Sequence, residues 1–351
     1  MAVDGGDGGL VAEDEGYAQI AQGILDGVTR GADGSWRMPW HAIKGGLPEN
    51  AFSGRKFKGV NLLTLAGASK KRGYGANLWA PREQWESKRG AVKAGETGTV
   101  ILVPVFDEEG PTTRWDASSK DVQKRMGTFG GDPAGGEQRR MIGFRREPWY
   151  NAHQISGLDI RPPTPPSPSE AAVALDGVLA AWRQRATVAG TRFRKGPGLL
   201  YGGHQAYWNP GTDQIMSPRP QAFGDHDGLS GLEFYMATLA HEHVHATGSK
   251  NRLCRSSLAR YNTKVGRAKE ELVAEMGAAF LCGRFHLSTV LRPDHTQYVQ
   301  SWLSGLQERT QRKAFFWAVR EAERAADYIL EQSGHTNTPS FGQEASCHRQ
   351  P

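Results

Sequence analysis

The chain has 351 residues, 38% of them hydrophobic, which argues against global disorder and sets an expectation of about two domains. Its formal net charge of +6 favours an acidic partner such as nucleic acid, although many enzymes share such a charge. The 3 scattered cysteines make no disulfide framework and fit a cytoplasmic protein, and no apolar stretch approaches the roughly 18 residues of a membrane helix.

The first half of the chain predicts a small α+β domain at residues 16–160, behind a disordered leader at residues 1–15. The leader is acidic and glycine-rich and lacks the basic start and apolar run of a signal peptide. Apolar residues then recur at helical spacing in 17–28. The run GTVILVPVF at 98–106 is rich in β-branched residues and predicts a buried strand. Residues 108–140 have no clean period and predict a loop insertion.

The second half predicts another α+β domain at residues 171–333, after a linker at 161–170 and before a flexible tail at 334–351. Five prolines in ten residues favour a semi-rigid, extended connector rather than a tightly fused junction, so each half is expected to fold alone. The elements predicted in this half are a helix at 171–186, strands near 198–202 and 213–217, and helices near 230–247, 267–282 and 295–331.

The stretch LAHEHVHATG at 239–248 places three histidines and a glutamate within five positions. At about 100° per residue in a helix, His241 and His245 share one face, whereas His243 points elsewhere. His241, Glu242 and His245 complete the pattern H-E-x-x-H, in which two imidazoles bind Zn²⁺ and the glutamate activates the bound water. The sequence therefore predicts a zinc site with two histidine ligands and Glu242 as the catalytic base.

A catalytic zinc site usually has a third protein ligand beside the water. In the helical pattern KEELVAEMGAAFLCG, Glu271 and Glu275 lie four residues apart on one partly buried face, while Glu270 is turned away. Two acids on an otherwise apolar helix favour a bound cation. We predict Glu271 as the third ligand and Glu275 as the acid that orients a ligating imidazole. The reverse assignment and a simple surface acid pair stay open.

Positive charge is concentrated in the first half, where residues 55–146 hold 18 Lys or Arg against 10 Asp or Glu, a net charge of +8. Basic and aromatic residues alternate in GRKFKG and KKRGYGANLW, as is typical of single-strand binding, because cations follow the phosphates while rings stack on unpaired bases. The alternative is that the rings belong to the core and the lysines form a solvated rim. The candidate DNA contacts are Arg55, Lys56, Phe57, Lys58, Lys70, Lys71, Arg72, Tyr74 and Trp79.

Several stretches taken together resemble the ArdC family of antirestriction proteins, which conjugative plasmids and phages carry. They include PENAFSGRKFKGVNLLTL, RGYGANLWAPREQW and AVKAGETGTVILVPVF in the first half, and AYWNPGTDQIMSP, HEHVHATGSKNRL and KEELVAEMGAAFLC in the second. The resemblance implies an N-terminal domain that binds single-stranded DNA and a C-terminal zincin-like metallopeptidase domain, in the cytoplasm of a bacterial host. It maps the family's metal-site helices onto His241, Glu242 and His245 and onto Glu271 and Glu275.

We therefore expect a two-domain α+β protein that binds single-stranded DNA, protects incoming mobile-element DNA from host restriction, carries Zn²⁺ and has no membrane partner. The rival hypothesis is a zinc peptidase that the basic half recruits to DNA-bound protein substrates, such as host restriction proteins. A third interpretation, a purely structural zinc, fits less well, because such a site has four protein ligands and no need for Glu242.

Overall fold

The computed structural model describes residues 46–106, 141–160, 164–191, 193–226, 228–289 and 308–335, together with the short pieces 18, 20–22, 29–30, 36–37 and 347–348. The predicted leader, the insertion at 108–140, most of the predicted tail and the start of the last predicted helix lie outside the described residues. Residues 18 and 20–22 are helical, as the apolar spacing there predicts.

Short strands and helices alternate in the first half. The strands are β1 Thr29–Arg30, β2 Trp36–Arg37, β3 Glu49–Asn50, β4 Leu78–Pro81, β5 Ala91–Val92, β6 Thr99–Phe106, β7 Met141–Asn151, β8 Ile155–Ser156 and β9 Asp159–Ile160, and the helices are α1 Gly59–Arg72 and α2 Arg82–Ser87.

A four-stranded sheet with the order β3-β4-β7-β6 organises this half. Its long strands β6 and β7 are antiparallel and pair from Thr99 and Trp149 onward, which confirms the strand predicted at 98–106. β3 is parallel to β4, and β4 is antiparallel to β7. Helix α1 lies against the sheet, where Leu65 meets the buried rings of Trp79 and Trp149. Helix α1 thus shields apolar, β-branched side chains of β6 from water, as their composition requires.

In the described part of the second half, helices dominate and pack around a small three-stranded sheet. Its elements are α3 Pro168–Gln184, β10 Gly198–Tyr201, β11 Tyr207–Asn209, β12 Gln214–Ser217, α4 Gly231–Thr247, α5 Ser256–Ala259, α6 Lys264–Arg284, α7 Arg309–Gln332 and β13 Cys347–His348. The small sheet has the order β10-β12-β11, with β10 parallel and β11 antiparallel to β12. The α+β class is confirmed in both halves.

Three helices of the second half pack closely because one of them carries a glycine at the contact. A Cβ on Gly277 of α6 would lie 2.8 Å from Val244 of α4 and 3.3 Å from the carbonyl oxygen of Ala322 in α7. Contacts this short would push the neighbouring helices away, so glycine allows α6 to approach both. This approach brings the acidic side chains of α6 to the histidines of α4.

The two halves share one apolar core, which corrects the expectation of an extended connector. Leu62 and Leu63 of α1 belong to the same buried cluster as Phe280 of α6 and Phe315 of α7. Helix α3 also begins at Pro168, inside the predicted linker, where Ser167 and Glu170 form a capping box around its first turn. Proline here starts a helix instead of extending a spacer, so the prediction that each half folds alone loses its basis.

An ion cluster lies at the same interface, beside the first turn of α1. Lys58 Nζ is 2.7 Å from Asp327 Oδ2, and Arg284 Nη2 is 2.5 Å from Asp327 Oδ1. The backbone N–H of Gly59 donates to Glu323 of α7. Burial raises the pKa of Glu323 to about 7, against the opposing effect of Lys58 and with support from Asp327. The carboxylates of α7 thus meet the positive end of the α1 dipole.

Among the described helices, none combines the length and the apolar character that crossing a membrane requires.

Candidate metal centre and basic surface

Helix α4 places two imidazoles side by side, as the histidine spacing predicts. The helix begins after Ser230, whose hydroxyl forms a capping box with the carboxylate of Glu233. His241 and His245 lie one turn apart, and their Nε2 atoms are 3.0 Å from each other. Their exposed fractions are only 2% and 7%, so both rings are held inside the protein and not at its surface.

Glu271 of α6 brings a carboxylate oxygen to the same point. Its Oε2 atom lies 3.4 Å from His241 Nε2 and 3.5 Å from His245 Nε2. At zinc–ligand distances of about 2.0–2.2 Å, neighbouring donor atoms of a tetrahedral site lie roughly 3.3–3.6 Å apart. The two oxygen–nitrogen distances lie in this range, and the nitrogen–nitrogen distance of 3.0 Å is slightly shorter, so the three atoms form one triangular face of a site that could hold a small divalent cation.

Each of the two imidazoles also has a carboxylate on its opposite nitrogen. His241 Nδ1 lies 3.5 Å from Glu275 Oε1, and His245 Nδ1 lies 3.2 Å from Glu270 Oε1. Contacts of this type fix the ring orientation and direct the Nε2 atoms towards a metal. Glu275 lies near the imidazole that it is predicted to orient, and that role stays a prediction. Glu270, which the helical phase predicts to be turned away, instead contacts His245, which corrects that prediction.

Glu270 is fully buried and is itself held by the loop that follows α4 and by the short helix α5. Arg255 Nη2 lies 2.6 Å from Glu270 Oε1, and the Ser257 hydroxyl donates to Glu270 Oε2 at 2.6 Å. The same guanidinium donates to the carbonyl oxygen of Val244 at 2.7 Å. Burial alone would raise the pKa of Glu270, but Arg255 and His245 lower it to about 2. One buried ion pair thus joins the end of α4 to the start of α6.

The charges around His245 determine its protonation in the protein alone. Burial would lower its pKa, but the carboxylates of Glu271 and Glu270 outweigh burial and raise it to about 10. The same pairing holds the pKa of Glu271 far below its usual range. An imidazole must lose its proton before it binds a metal through that nitrogen, so metal and proton compete at this site.

Tyr261 is a further residue of the centre that the sequence analysis missed. Its hydroxyl donates to Glu271 Oε1, and its ring lies edge-on to His245 with centroids 6.3 Å apart. Burial and the Glu271 carboxylate together raise the pKa of the Tyr261 phenol. The phenol therefore stays protonated at neutral pH and serves as a donor.

Glu242 is buried beside the two histidines and is held by the small sheet. Its Oε2 atom accepts the backbone N–H of Trp208 in β11 at 2.9 Å. Strand β11 pairs with β12 on one side only among the described strands. The glutamate of the H-E-x-x-H pattern is therefore fixed in orientation next to a sheet edge.

His243 lies on the other side of α4, as the helical phase predicts. It is fully buried, with Nδ1 2.7 Å from the carbonyl oxygen of Leu239 and Nε2 3.2 Å from Arg183 Nη1. Burial, reinforced by Arg183, lowers its pKa to about 3. A neutral imidazole bonded on both nitrogens is a packing residue and is separate from the metal centre.

Several of the predicted DNA contacts are engaged inside the protein. Lys56 Nζ lies 3.1 Å from Glu49, and Lys58 forms its ion pair with Asp327 of the second half. Trp79 is fully buried, and Phe57 is half-buried with its ring edge-on to Trp149 at 4.9 Å. The structure thus corrects the prediction that Trp79 contacts DNA, because its buried ring has no face open to a base. The alternative interpretation, that the aromatic residues belong to the core, applies to this ring.

Other predicted contacts do reach the surface. Lys71 and Arg72, in the last turn of α1, are exposed. Arg55 and Lys70 are half-buried, and burial lowers the pKa of Arg55. Tyr74, also half-buried, lies against the ring of His153. Of the predicted contacts, the exposed ones therefore lie at the end of α1.

Comparison with family models agrees with both halves. The model described as the N-terminal domain of anti-restriction factor ArdC matches residues 14–146, and a zincin-like metallopeptidase model matches residues 193–321. The uncharacterized protein y4eC of Sinorhizobium fredii is 30% identical over 318 residues, which cover 90% of this chain and 92% of that protein. DNA primase TraC of Escherichia coli is 28% identical over 314 residues, so that 89% of this chain matches only 19% of the primase.

Two solved structures share the fold over nearly the whole chain. Both are crystal structures of the antirestriction protein ArdC from plasmid R388, at 26% identity. The metal-free form has a TM-score of 0.63 and covers 92% of this chain and 99% of that one. The Mn(II)-bound form has a TM-score of 0.60 and covers 90% and 97%. This chain belongs to the ArdC family of antirestriction proteins and has a zincin-like domain in which His241, His245 and Glu271 could hold a metal ion.

Proposed function

We propose that this protein binds single-stranded DNA and protects incoming mobile-element DNA from host restriction by covering the strand. The observation that carries the proposal is the charge distribution, since residues 55–146 have a net charge of +8 in a chain whose total is +6. Lys71 and Arg72 present part of this charge to solvent, next to the ring of Tyr74. Cations beside aromatic rings suit a strand whose bases are unpaired.

A direct binding comparison tests this proposal. We expect the full chain to bind a single strand more tightly than a duplex of the same length, with affinity falling as salt rises, because counterions are released from the phosphates. The measurement is fluorescence anisotropy of labelled oligonucleotides at several salt concentrations. Equal or tighter duplex binding at moderate salt contradicts the proposal.

We further propose that the divalent cation of the centre is Zn²⁺, held by His241, His245 and Glu271. Two imidazole nitrogens and one carboxylate oxygen with an open fourth position are the donor set of a catalytic zinc site. Zinc bound there would lower the pKa of a coordinated water towards about 7 and polarise a peptide carbonyl. Elemental analysis of protein purified without added metal tests the identity of the ion, and one equivalent of manganese or iron would contradict it.

The chain's own residues would divide the remaining work. Glu242, oriented by the Trp208 N–H, would take up the proton of the attacking water and return it to the leaving amine. The Tyr261 phenol would keep Glu271 in place through its hydrogen bond. Glu275 and Glu270 would hold the two imidazoles in the tautomer that carries its proton on Nδ1. Each Nε2 would then be unprotonated and directed towards the metal.

The second candidate function is a zinc peptidase acting on DNA-bound host proteins, among them restriction proteins. The geometry of Glu242 favours it, because a base that is both buried and oriented is more than a structural metal site needs. The variant Glu242→Gln separates the two functions. If protection comes from covering the strand, the variant keeps its metal, its DNA affinity and full protection, whereas loss of protection alone assigns the function to proteolysis.

A further inference from the structure

An imidazole outside both family-model matches lies on the basic surface of the first half. His153 follows β7 in a short 3-10 turn, Ala152–Gln154, and its side chain is exposed. Its ring is nearly parallel to that of Tyr74, with centroids 5.5 Å apart and an interplanar angle of 11°. Two rings from distant parts of the chain thus form one stacked pair at the surface.

Hydrogen bonds and a buried turn fix the position of His153 in this pair. His153 Nε2 accepts the backbone N–H of Gly75 at 3.1 Å. On the other side, the backbone N–H of His153 donates to Asn151 Oδ1 at 3.0 Å. Asn151 and Gln154 are fully buried and form a capping box around the turn. The imidazole therefore projects from a rigid base, and little conformational entropy is lost when a ligand packs against it.

Cations flank both ends of the stacked pair. Arg72 Nη1 lies 3.2 Å from the Tyr74 hydroxyl and 2.9 Å from the carbonyl oxygen of Thr97. Lys93 Nζ donates to the carbonyl oxygen of His153 at 2.8 Å. Both cations are exposed, and Lys71 lies next to Arg72 on the same helix end. The arrangement places positive charge on either side of a flat ring, which matches a nucleotide with its phosphates.

We propose that Tyr74 and His153 form a stacking platform for one unpaired nucleobase, with Arg72 and Lys93 contacting the flanking phosphates. The inference rests on the proposed binding of single-stranded DNA and deepens it by assigning a base site. The alternative is a purely structural role, in which the stacked pair only fixes the loop after α1 against the turn after β7. The stacking hypothesis requires the ring face of His153 for DNA binding, whereas the structural hypothesis requires only its hydrogen bond to Gly75.

Two substitutions separate the ring from the hydrogen bond. His153→Gln keeps an acceptor for the Gly75 N–H but removes the ring, and His153→Phe keeps the ring but removes the acceptor. The full chain is titrated against an oligothymidylate and against an abasic oligomer of the same length. We expect His153→Gln to weaken oligothymidylate binding roughly tenfold and to leave abasic binding unchanged, because a stacked base is lost but no phosphate contact. His153→Phe should bind both like the wild type.

The control is Lys93→Gln, which should weaken both oligomers to the same degree. Thermal unfolding of each variant checks that the turn stays folded. A His153→Gln protein that binds oligothymidylate like the wild type overturns the platform, as does one that loses affinity for both oligomers equally, or a His153→Phe protein as weak as His153→Gln. If the wild type binds neither oligomer, the proposed DNA function itself fails, which is a different result.

Discussion

The metal centre and the basic surface of this protein are built in opposite ways. In the centre, His241, His245, Glu270 and Glu271 are at most 7% exposed, and almost every polar atom contacts another charged group. On the surface, Lys71 and Arg72 are exposed at the end of a helix. A metal requires donors fixed to within a few tenths of an ångström, whereas a flexible strand requires only cations and rings along its path.

This difference predicts how substitutions act. Changes in the centre should alter metal binding and folding together, because the same buried charges serve both. Changes on the surface should alter DNA binding alone.

The largest effect is expected for the first histidine of the pair. His241→Ala removes one of three proposed ligands, so the metal content should fall from one equivalent to nearly none while DNA affinity stays unchanged. Elemental analysis and anisotropy on the same preparation measure both quantities. His243→Gln is the matched control, because its ring faces Leu239 and Arg183 and not the centre. A His241→Ala protein that retains a full equivalent of metal contradicts the proposed ligand set.

The next effect concerns Glu270, the buried carboxylate that contacts both His245 and Arg255. Glu270→Gln should weaken metal binding about 10- to 100-fold, since His245 loses the carboxylate that orients it. It should also lower the free energy of unfolding by about 3–5 kcal/mol, because Arg255 is left without its buried partner. Chelator competition and urea unfolding of the metal-free protein measure the two effects.

Glu275→Gln is the comparison for this second prediction, because it perturbs His241 but leaves the Arg255 ion pair intact. It should weaken metal binding with a smaller loss of stability. An equal loss in the free energy of unfolding for both variants would contradict the prediction that the Arg255–Glu270 ion pair stabilises the fold more than Glu275 does.

The sequence made the metal pair predictable because it lies within one helix. A period of about 100° per residue is enough to join His241 to His245 and to exclude His243. Glu270 was missed for a reason of tertiary structure. It is on a different face of α6 from Glu271, but His245 contacts both carboxylates, and Arg255 contacts Glu270.

The basic surface was less predictable from the pattern of basic and aromatic residues. Lys58 and Lys71 have the same chemistry in the sequence, but only the fold shows that Lys58 pairs with Asp327, far along the chain. His153 carried no local signal, since a single histidine in a turn is common. The core shared by the two halves was not predictable either. The proline-rich segment predicts an extended connector, and its sequence does not show which helices pack together on either side of it.

The ion cluster at the interface between the two halves of the chain gives a smaller, pH-dependent effect on stability. Glu323 has a pKa of about 7 in the folded protein against an ordinary value of 4.5, because burial and the nearby Asp327 outweigh the opposing effects of Lys58 and Arg284. The folded state therefore binds its proton more tightly, and this group's contribution to stability is lost as pH rises from 4.5 through 7.

Glu323→Gln should remove that part of the pH dependence. The variant should gain stability relative to the wild type at pH 8 and less or none at pH 4.5. Urea unfolding of the metal-free proteins at several pH values measures the difference. An equal effect at both pH values would show that the carboxyl does not titrate in this window.

The smallest effect compares two lysines of the first half that the sequence pattern treats alike. Lys71 is exposed at the end of α1, whereas Lys56 lies 3.1 Å from Glu49. Lys71→Gln should weaken single-strand binding roughly threefold at moderate salt and reduce the salt slope by about 0.7, the value for one phosphate contact. Lys56→Gln should change the slope less, because Lys56 is half-buried beside Glu49 and less accessible to a phosphate. Neither variant should change the metal content, since both lie outside the centre. Salt titrations by anisotropy measure the slopes, and a larger slope change for Lys56→Gln than for Lys71→Gln would mean that the DNA path follows β3 instead of the end of α1.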